Sequence, residues 1–217
     1  MLAVMPVKSG LRSYGGLQLN GKQIRIPIAE NYKDCMTLIR SDRYRRYGKK
    51  ESTLSIIIKS LMPYKSSVLF WLRLCQYKGW LYPLCKLMCA RAKRKALVAL
   101  PTRTKIGYGF TIGAQGGMCI AINGGTIIGN NVGISQFVNI GTNSSTYSII
   151  GDGVYIGPHT CIVEGIKIGN NATIGAGAIV TRDVPENATA VGVPAKVINY
   201  DNPGRFIGRR WPISESD

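Results

Sequence analysis

From Ile106 onward an aliphatic residue returns about every sixth position, and Gly or another small residue usually follows it. The series runs Ile106-Gly107, Ile112-Gly113, Ile122, Ile128-Gly129, Ile134-Ser135 and Ile140-Gly141. After a short insertion it resumes as Ile150-Gly151, Ile156-Gly157, Ile162-Val163, Ile168-Gly169, Ile174-Gly175 and Val180-Thr181. A helix repeats at about 3.6 residues and an ordinary strand at about two, so neither template fits. A unit of about six is one short strand plus a corner. It cannot bury its aliphatic residue alone, so successive units stack into a β-helix. The aliphatic side chain is expected to point at the coil axis and rest on its equivalent in the next coil. Asn130, Asn131, Asn170 and Asn171 fall at corners, where positive φ costs Asn and Gly little. A Gly-rich antiparallel sandwich is the competing reading, but its strands would hold no fixed phase over so many units.

The residues before the repeat follow another pattern. Apolar positions at helical spacing predict helices over Tyr32–Arg40, Leu54–Leu61 (stopped by Pro63), Ser67–Tyr77 and Tyr82–Ala99. Met1–Tyr32 carries little pattern, though Gly15-Gly16, Asn20-Gly21 and Pro27 suggest turns and a short hairpin. The chain therefore divides into an extension (1–37), a basic α-helical region (38–100), a β-helix (101–198) and a tail (199–217), with the main boundary near Leu100-Pro101.

Charge changes the picture of the first half. The net charge is +17, and between Arg43 and Lys95 only Glu51, with Asp42 just before, counters the basic residues. Such a patch suits an anionic membrane surface, phosphorylated ligands or nucleic acid. The plain reading is a solvated helix face. The alternative is peripheral docking at a membrane, with Trp71, Trp80 and Tyr82 at the interface. No recognised nucleic-acid-binding signature accompanies the charge. Lys59, Lys65, Arg73, Lys78 and Lys86 interrupt Leu54–Leu97, so no run approaches the roughly 20 apolar residues of a span. The apolar stretch Leu2–Val7 is too short for a cleaved secretory signal. Cys35, Cys75, Cys85, Cys89, Cys119 and Cys161 sit mostly among apolar neighbours and read as reduced thiols of a cytoplasmic protein. Cys85 and Cys89 share a helix face, but no second ligand pair accompanies them, so no metal site is expected.

Longer stretches carry a resemblance. They are Lys105-Ile106-Gly107-Tyr108-Gly109-Phe110-Thr111-Ile112-Gly113, Ile128-Gly129-Asn130-Asn131-Val132 with Ile134-Ser135-Gln136, and Ile150-Gly151-Asp152-Gly153-Val154-Tyr155-Ile156-Gly157. Ile174-Gly175-Ala176-Gly177-Ala178 and the closing Val191-Gly192-Val193-Pro194-Ala195-Lys196-Val197-Ile198 continue it. Upstream, Arg40-Ser41-Asp42-Arg43-Tyr44-Arg45-Arg46-Tyr47-Gly48 and Phe70-Trp71-Leu72-Arg73-Leu74 join in. Over residues 38–198 the chain resembles the hexapeptide-repeat acyltransferases, in their serine acetyltransferase-like branch, and within it the relatives encoded with capsule and surface-polysaccharide genes.

The resemblance implies an all-β left-handed parallel β-helix preceded by an α-helical region, assembled as a homotrimer or a dimer of trimers. It implies acetyl-CoA as co-substrate in the groove between neighbouring β-helices. Gly157, Gly175, Ala176 and Gly177 would hold the pantetheine arm, and Lys196 would meet the CoA phosphates. The implied reaction is acetyl transfer to a sugar hydroxyl of a surface polysaccharide or its precursor, in the cytoplasm or at the inner face of the membrane.

The residues depart from the family at the chemistry. The family's general-base His falls on Ala114, and the acidic residue that orients it falls on Ala99. The Arg-His pair that contacts serine falls on Thr146-Tyr147, so L-serine is the least supported acceptor. The single His of the chain is His159, at a corner of a later coil. It is the candidate catalytic base, set against a plain corner residue. A non-catalytic subunit is the alternative function.

Overall fold

The computed structural model describes residues 11, 13–19, 21–61, 67–113 and 118–213. The expectations for Leu2–Val7, Asn20, Pro63, Lys65 and Ala114 fall outside these residues. The described chain opens with an antiparallel hairpin, β1 (Ser13–Leu19) and β2 (Lys22–Pro27), with Gly21 at φ 77° between them. Leu19, Ile24 and Ile26 of this hairpin pack against Ile127 and Ile149 of the repeat region.

Four helices follow: α1 (Tyr32–Tyr47), α2 (Thr53–Leu61), α3 (Ser67–Leu74) and α4 (Tyr82–Ala96). The Asn31 side chain caps α1 by accepting from the Asp34 N–H, and Gly48, at φ 68°, ends it. Three helices differ from expectation, the simplest being α3, expected to reach Tyr77 but ending at Leu74. The helix expected to stop at Arg40 continues to Tyr47, because Ser41, Asp42 and Arg45 bury polar side chains against the repeat region. The last helix, expected to reach Ala99, stops at Ala96, since Leu97 turns left-handed and Val98–Ala99 joins a sheet.

From Val98 the chain winds as a parallel β-helix of about four turns. Its strands stack into three sheets. One holds Val98–Ala99, Ile120–Ile122, Asn139–Gly141, Cys161–Val163 and Ile179–Val180. A second holds Lys105–Ile106, Ile127–Ile128, Ile149–Ile150 and Lys167–Ile168. The third holds Thr111–Ile112, Gly133–Ile134, Tyr155–Ile156, Thr173–Ile174 and Thr189–Val191, closed by the antiparallel Lys196–Asn199.

The six-residue ladder behaves as expected. Ile106, Ile128, Ile150 and Ile168 form one buried column, and Ile112, Ile134, Ile156, Ile174 and Ala190 another. Ile122, Ile140, Ile162 and Val180 form the third. A further set is also internal, because residues two apart in a strand share a face. These are Phe110, Val132, Val154, Ala172 and Ala188 on one sheet, and Thr104, Thr126, Ser148 and Ile166 on another. The side chains of the first row thus shrink from Phe110 at the first turn to Ala188 at the last.

A β-helix has an open backbone edge at each end, and unpaired edge groups are costly when buried. Here α1 and α3 close the first edge with side chains. Arg73 donates to the Ile106 and Gly107 carbonyls at 2.8 and 2.6 Å. Ser41 Oγ accepts from the Gly109 N–H, Asp42 from the Phe110 N–H, and Arg45 Nε donates to the Gly109 carbonyl. The apolar residues of α3 and α4, including Phe70, Trp71, Cys85 and Cys89, join the β-helix columns in one core.

After its last strand the chain runs back along the third sheet as a strap. The Gly204 N–H donates to the Asn171 carbonyl, Phe206 lies 4.6 Å from the Tyr155 ring, and Ile207 reaches Gly133. The strap ends where Trp211 exchanges hydrogen bonds with Asn131 (2.7 and 3.1 Å) and packs with Cys35, Leu38 and Tyr108.

Candidate active site

The stacking register brings together residues that the sequence spreads over four repeat units. Gly113, Ser135, Gly157 and Gly175 form one column at the end of the third sheet, each N–H donating to the carbonyl one coil on. The corner that follows carries Gln136-Phe137, then Pro158-His159, then Ala176-Gly177. The His159 N–H donates to the Gln136 carbonyl and the Gly177 N–H to the Pro158 carbonyl. Gly157, His159, Gly175, Ala176 and Gly177 therefore share one corner. Lys196 lies at its upper end, paired with Val191, whose side chain covers Gly175. Ala114 lies outside the described residues. Its neighbour Gly113 stands at the foot of this column.

His159 is exposed, at φ 58°, and its ring stacks on Phe137 with centroids 4.5 Å apart. Phe137 has φ 60°, so the two residues occupy equivalent left-handed corners of successive coils. The glycines divide into two kinds. A Cβ on Gly157 would come within 2.7 Å of the Ala176 backbone N, so coil spacing demands glycine there, whereas one on Gly175 would come within 2.6 Å of Cγ1 of the Val191 side chain that covers it. A Cβ on Gly177 would meet nothing within 4 Å, and Ala176 beside it is exposed. The open surface of this corner is at Ala176, Gly177 and the exposed Lys196.

Ala99 is elsewhere. It heads an outward row of the first sheet, followed by Ala121, Asn139 and Cys161. This row borders an open groove of about 450 Å³ that also meets Asn123, Thr142 and Glu164. Thr146 packs over Gly165 and Tyr147 over Gly125, so both belong to the insertion beside that groove.

A third feature was not evident in the sequence. Arg45 and Arg46 of α1 meet Arg209 of the strap around an open groove of about 510 Å³, with Thr111, Gly113 and Phe206 completing its wall. Arg45 Nη1 donates to the Arg209 carbonyl at 2.7 Å, and Arg209 Nη1 to the Arg46 carbonyl at 3.1 Å. Burial, and then the nearby Arg210 charge, pull the Arg45 guanidinium down to about 10. The signal is a basic run at each end of the chain, Arg43–Arg46 and Arg205–Arg210, and only the returning strap joins them.

Among known proteins, the family described as "Bacterial transferase hexapeptide (six repeats)" matches residues 147–182. The chain is 42% identical over 104 residues to the mitochondrial serine acetyltransferase 3 of Arabidopsis thaliana, covering 46% of this chain and 26% of that protein. It is 36% identical over 137 residues to the galactoside O-acetyltransferase of Escherichia coli K12, covering 55% of this chain and 68% of that protein. It also superposes on a serine acetyltransferase solved in complex with CoA, with TM-score 0.58 and 26% identity over 76% of this chain and 68% of that one. The chain thus spans about a quarter of the plant relative and two thirds of the galactoside relative. It belongs to the hexapeptide-repeat transferase family.

Proposed function

We propose that the protein is an acetyl-CoA-dependent O-acetyltransferase acting on a sugar hydroxyl of a surface polysaccharide or its precursor. The observation that carries this reading is the single corner shared by Gly157, His159, Gly175, Ala176 and Gly177, running up to Lys196. The CoA complex of one structural relative and the galactoside named for one sequence relative support the two substrates. In the reaction the acceptor oxygen forms a bond to the thioester carbonyl carbon, the C–S bond breaks, and a base takes the hydroxyl proton and returns it to the departing CoA sulfur, which leaves as the thiol. His159 is the candidate base. Its exposure leaves it free to meet an acceptor across a groove between subunits of a trimer.

Several relatives are named serine acetyltransferases, which favours L-serine. Thr146 and Tyr147, at the positions of the serine-contacting pair, weigh against it, because no guanidinium stands there to clamp a carboxylate. A release assay for CoA thiol, run with L-serine, a galactoside and a sugar nucleotide, separates these acceptors. Turnover of a sugar that falls in His159→Ala supports the reading. Turnover of L-serine alone, or of nothing, sinks it.

Ala99 and Ala114 favour a second reading, a non-catalytic subunit that keeps the assembly and the CoA groove. The helical region supplies a proposed contact with the inner membrane face, though not through Trp71, which packs in the core at 7% exposure. Leu54, Ile57, Ile58 and Leu61 form an outward stripe on α2 at helical spacing, flanked by Lys49, Lys50 and Lys59.

A further inference from the structure

The arginine groove between α1 and the strap plays no part in the reaction as written. Arg45 is buried to 9% exposure, and the partners of its guanidinium are two carbonyls and the Thr111 hydroxyl. Among the described residues, no carboxylate lies within ion-pair distance of Arg45, Arg46 or Arg209. Asp42, the nearest acid in sequence, is held by Arg73. Arg45 is thus satisfied by protein acceptors, and Arg46 and Arg209 add two further guanidinium groups to a groove that, among the described residues, has no ion-paired carboxylate, a setting that favours an entering anion. Planar guanidinium forks match phosphate oxygens two at a time, and Thr111 adds a hydroxyl donor.

The groove's place selects which phosphate. Gly113 lines it and is also the lowest member of the column that leads to Gly175. Lys196, the candidate for the CoA phosphates, is at the opposite end. Five strand steps of the third sheet separate Thr111–Ile112, beside Gly113, from Lys196–Asn199, roughly 24 Å at about 4.8 Å per step. Phe206, half exposed on the Tyr155 ring, offers a flat apolar surface beside the arginines. We propose that this groove holds the phosphate or diphosphate of the acceptor, so that the sugar is acetylated as a phosphate ester and not as a free sugar. The inference rests on the acetyl-transfer reading and narrows its substrate.

The test begins with binding, which does not depend on activity. Calorimetric titration of the full chain with inorganic pyrophosphate at low salt should give binding that weakens at least about tenfold in R46Q/R209Q, the scale of a lost charged hydrogen bond. An unchanged melting temperature confirms that the variant is folded. Saturating CoA should leave pyrophosphate affinity unaltered. Displacement by CoA would assign the anion to the co-substrate and overturn the proposal, as would equal binding by the variant. In the thiol-release assay, UDP-N-acetylglucosamine and a detergent-dispersed undecaprenyl diphosphate sugar are compared with free N-acetylglucosamine. A phosphorylated acceptor should show the lower KM, raised in the variant, and whichever does so identifies the carrier. Preference for the free sugar overturns the proposal. Arginine-dependent pyrophosphate binding without turnover of any acceptor would instead overturn acetyl transfer and leave the anion groove standing.

Discussion

Arg73 and Asp42 form a bidentate ion pair, at 2.8 and 2.9 Å, inside the joint between the helices and the first coil. Arg73 is fully buried and Asp42 nearly so. Burial pushes the Asp42 carboxyl upward, and the Arg73 charge and the Phe110 N–H pull it back. The pair does more than neutralise itself, because its remaining donors and acceptors satisfy the Ile106 and Gly107 carbonyls and the Phe110 N–H. Asp42→Ala should therefore destabilise by about 3–5 kcal/mol, the cost of stranding a buried charge. Replacing both residues by leucine should not restore stability. It would leave three edge groups unpaired, at about 1–3 kcal/mol each. Urea denaturation of the single and double variants checks this, and a double variant as stable as the parent would contradict it.

The strap makes a separate prediction. Asn131, at φ 57°, both accepts from the Trp211 N–H and donates to the Trp211 carbonyl. Trp211 in turn packs edge-on against Tyr44, with centroids 5.6 Å apart. Trp211→Ala should cost about 3–5 kcal/mol. Asn131→Gly keeps the backbone conformation but loses both hydrogen bonds, so it should cost about 1–3 kcal/mol. Both variants should be cut faster within residues 200–210 in limited proteolysis, while the β-helix resists. Unchanged cleavage would mean that the strap is held elsewhere.

Cys35 gives a pH dependence with a definite sign. Burial raises its thiol from 9.0 to about 11. The unfolded chain loses this proton near pH 9 and the native chain only near 11, so the native state holds more protons in between. Its contribution is complete below pH 9 and is lost as pH rises through 11. The loss is on the order of 2 kcal/mol. Other groups titrate in the same range, so the informative quantity is a difference. Between pH 8.5 and 11 the stability of the parent should fall more steeply than that of Cys35→Ala. Parallel curves would refute the assignment.

The aliphatic columns were legible because a six-residue period has one structural solution. Thr104, Thr126, Ser148 and Thr160 were not, although all four are buried. A hydroxyl in an inward slot looks polar in sequence, and only the two-residue alternation within a strand reveals its direction. Ser41, Asp42 and Arg45 were missed as helix residues for the same reason, since a side chain that closes a backbone edge resembles a surface residue until the edge is present. Gly157, Gly175 and Gly177 were named through the family resemblance and His159 as the single His of the chain, and it is the stacking of the coils that brings them to one corner. The period could not join Arg45 to Arg209, which meet across 164 residues through a strap with no repeat of its own.

The same register supports a gain-of-function experiment. Ala99 is exposed and heads the row Ala121, Asn139, Cys161 beside an open groove, so an aspartate there would meet no backbone and point toward solvent-accessible space. Ala114 follows Gly113, at the foot of the column that carries the corner of His159. If acetyl transfer is limited by the missing base, Ala114→His should raise the rate, and Ala99→Asp, at the position where the family resemblance puts the orienting acid, should raise it further. General-base catalysis contributes about 10²–10⁴-fold, which sets the scale. The new dependence should follow an imidazole, with kcat/KM rising as pH passes about 6.5. His159→Ala in this background should then have little effect, because the base would no longer be at the later corner. A double variant with no gain, in a folded protein that still binds CoA, would place the reacting carbonyl away from the first coil and leave His159 as the only imidazole positioned to serve it.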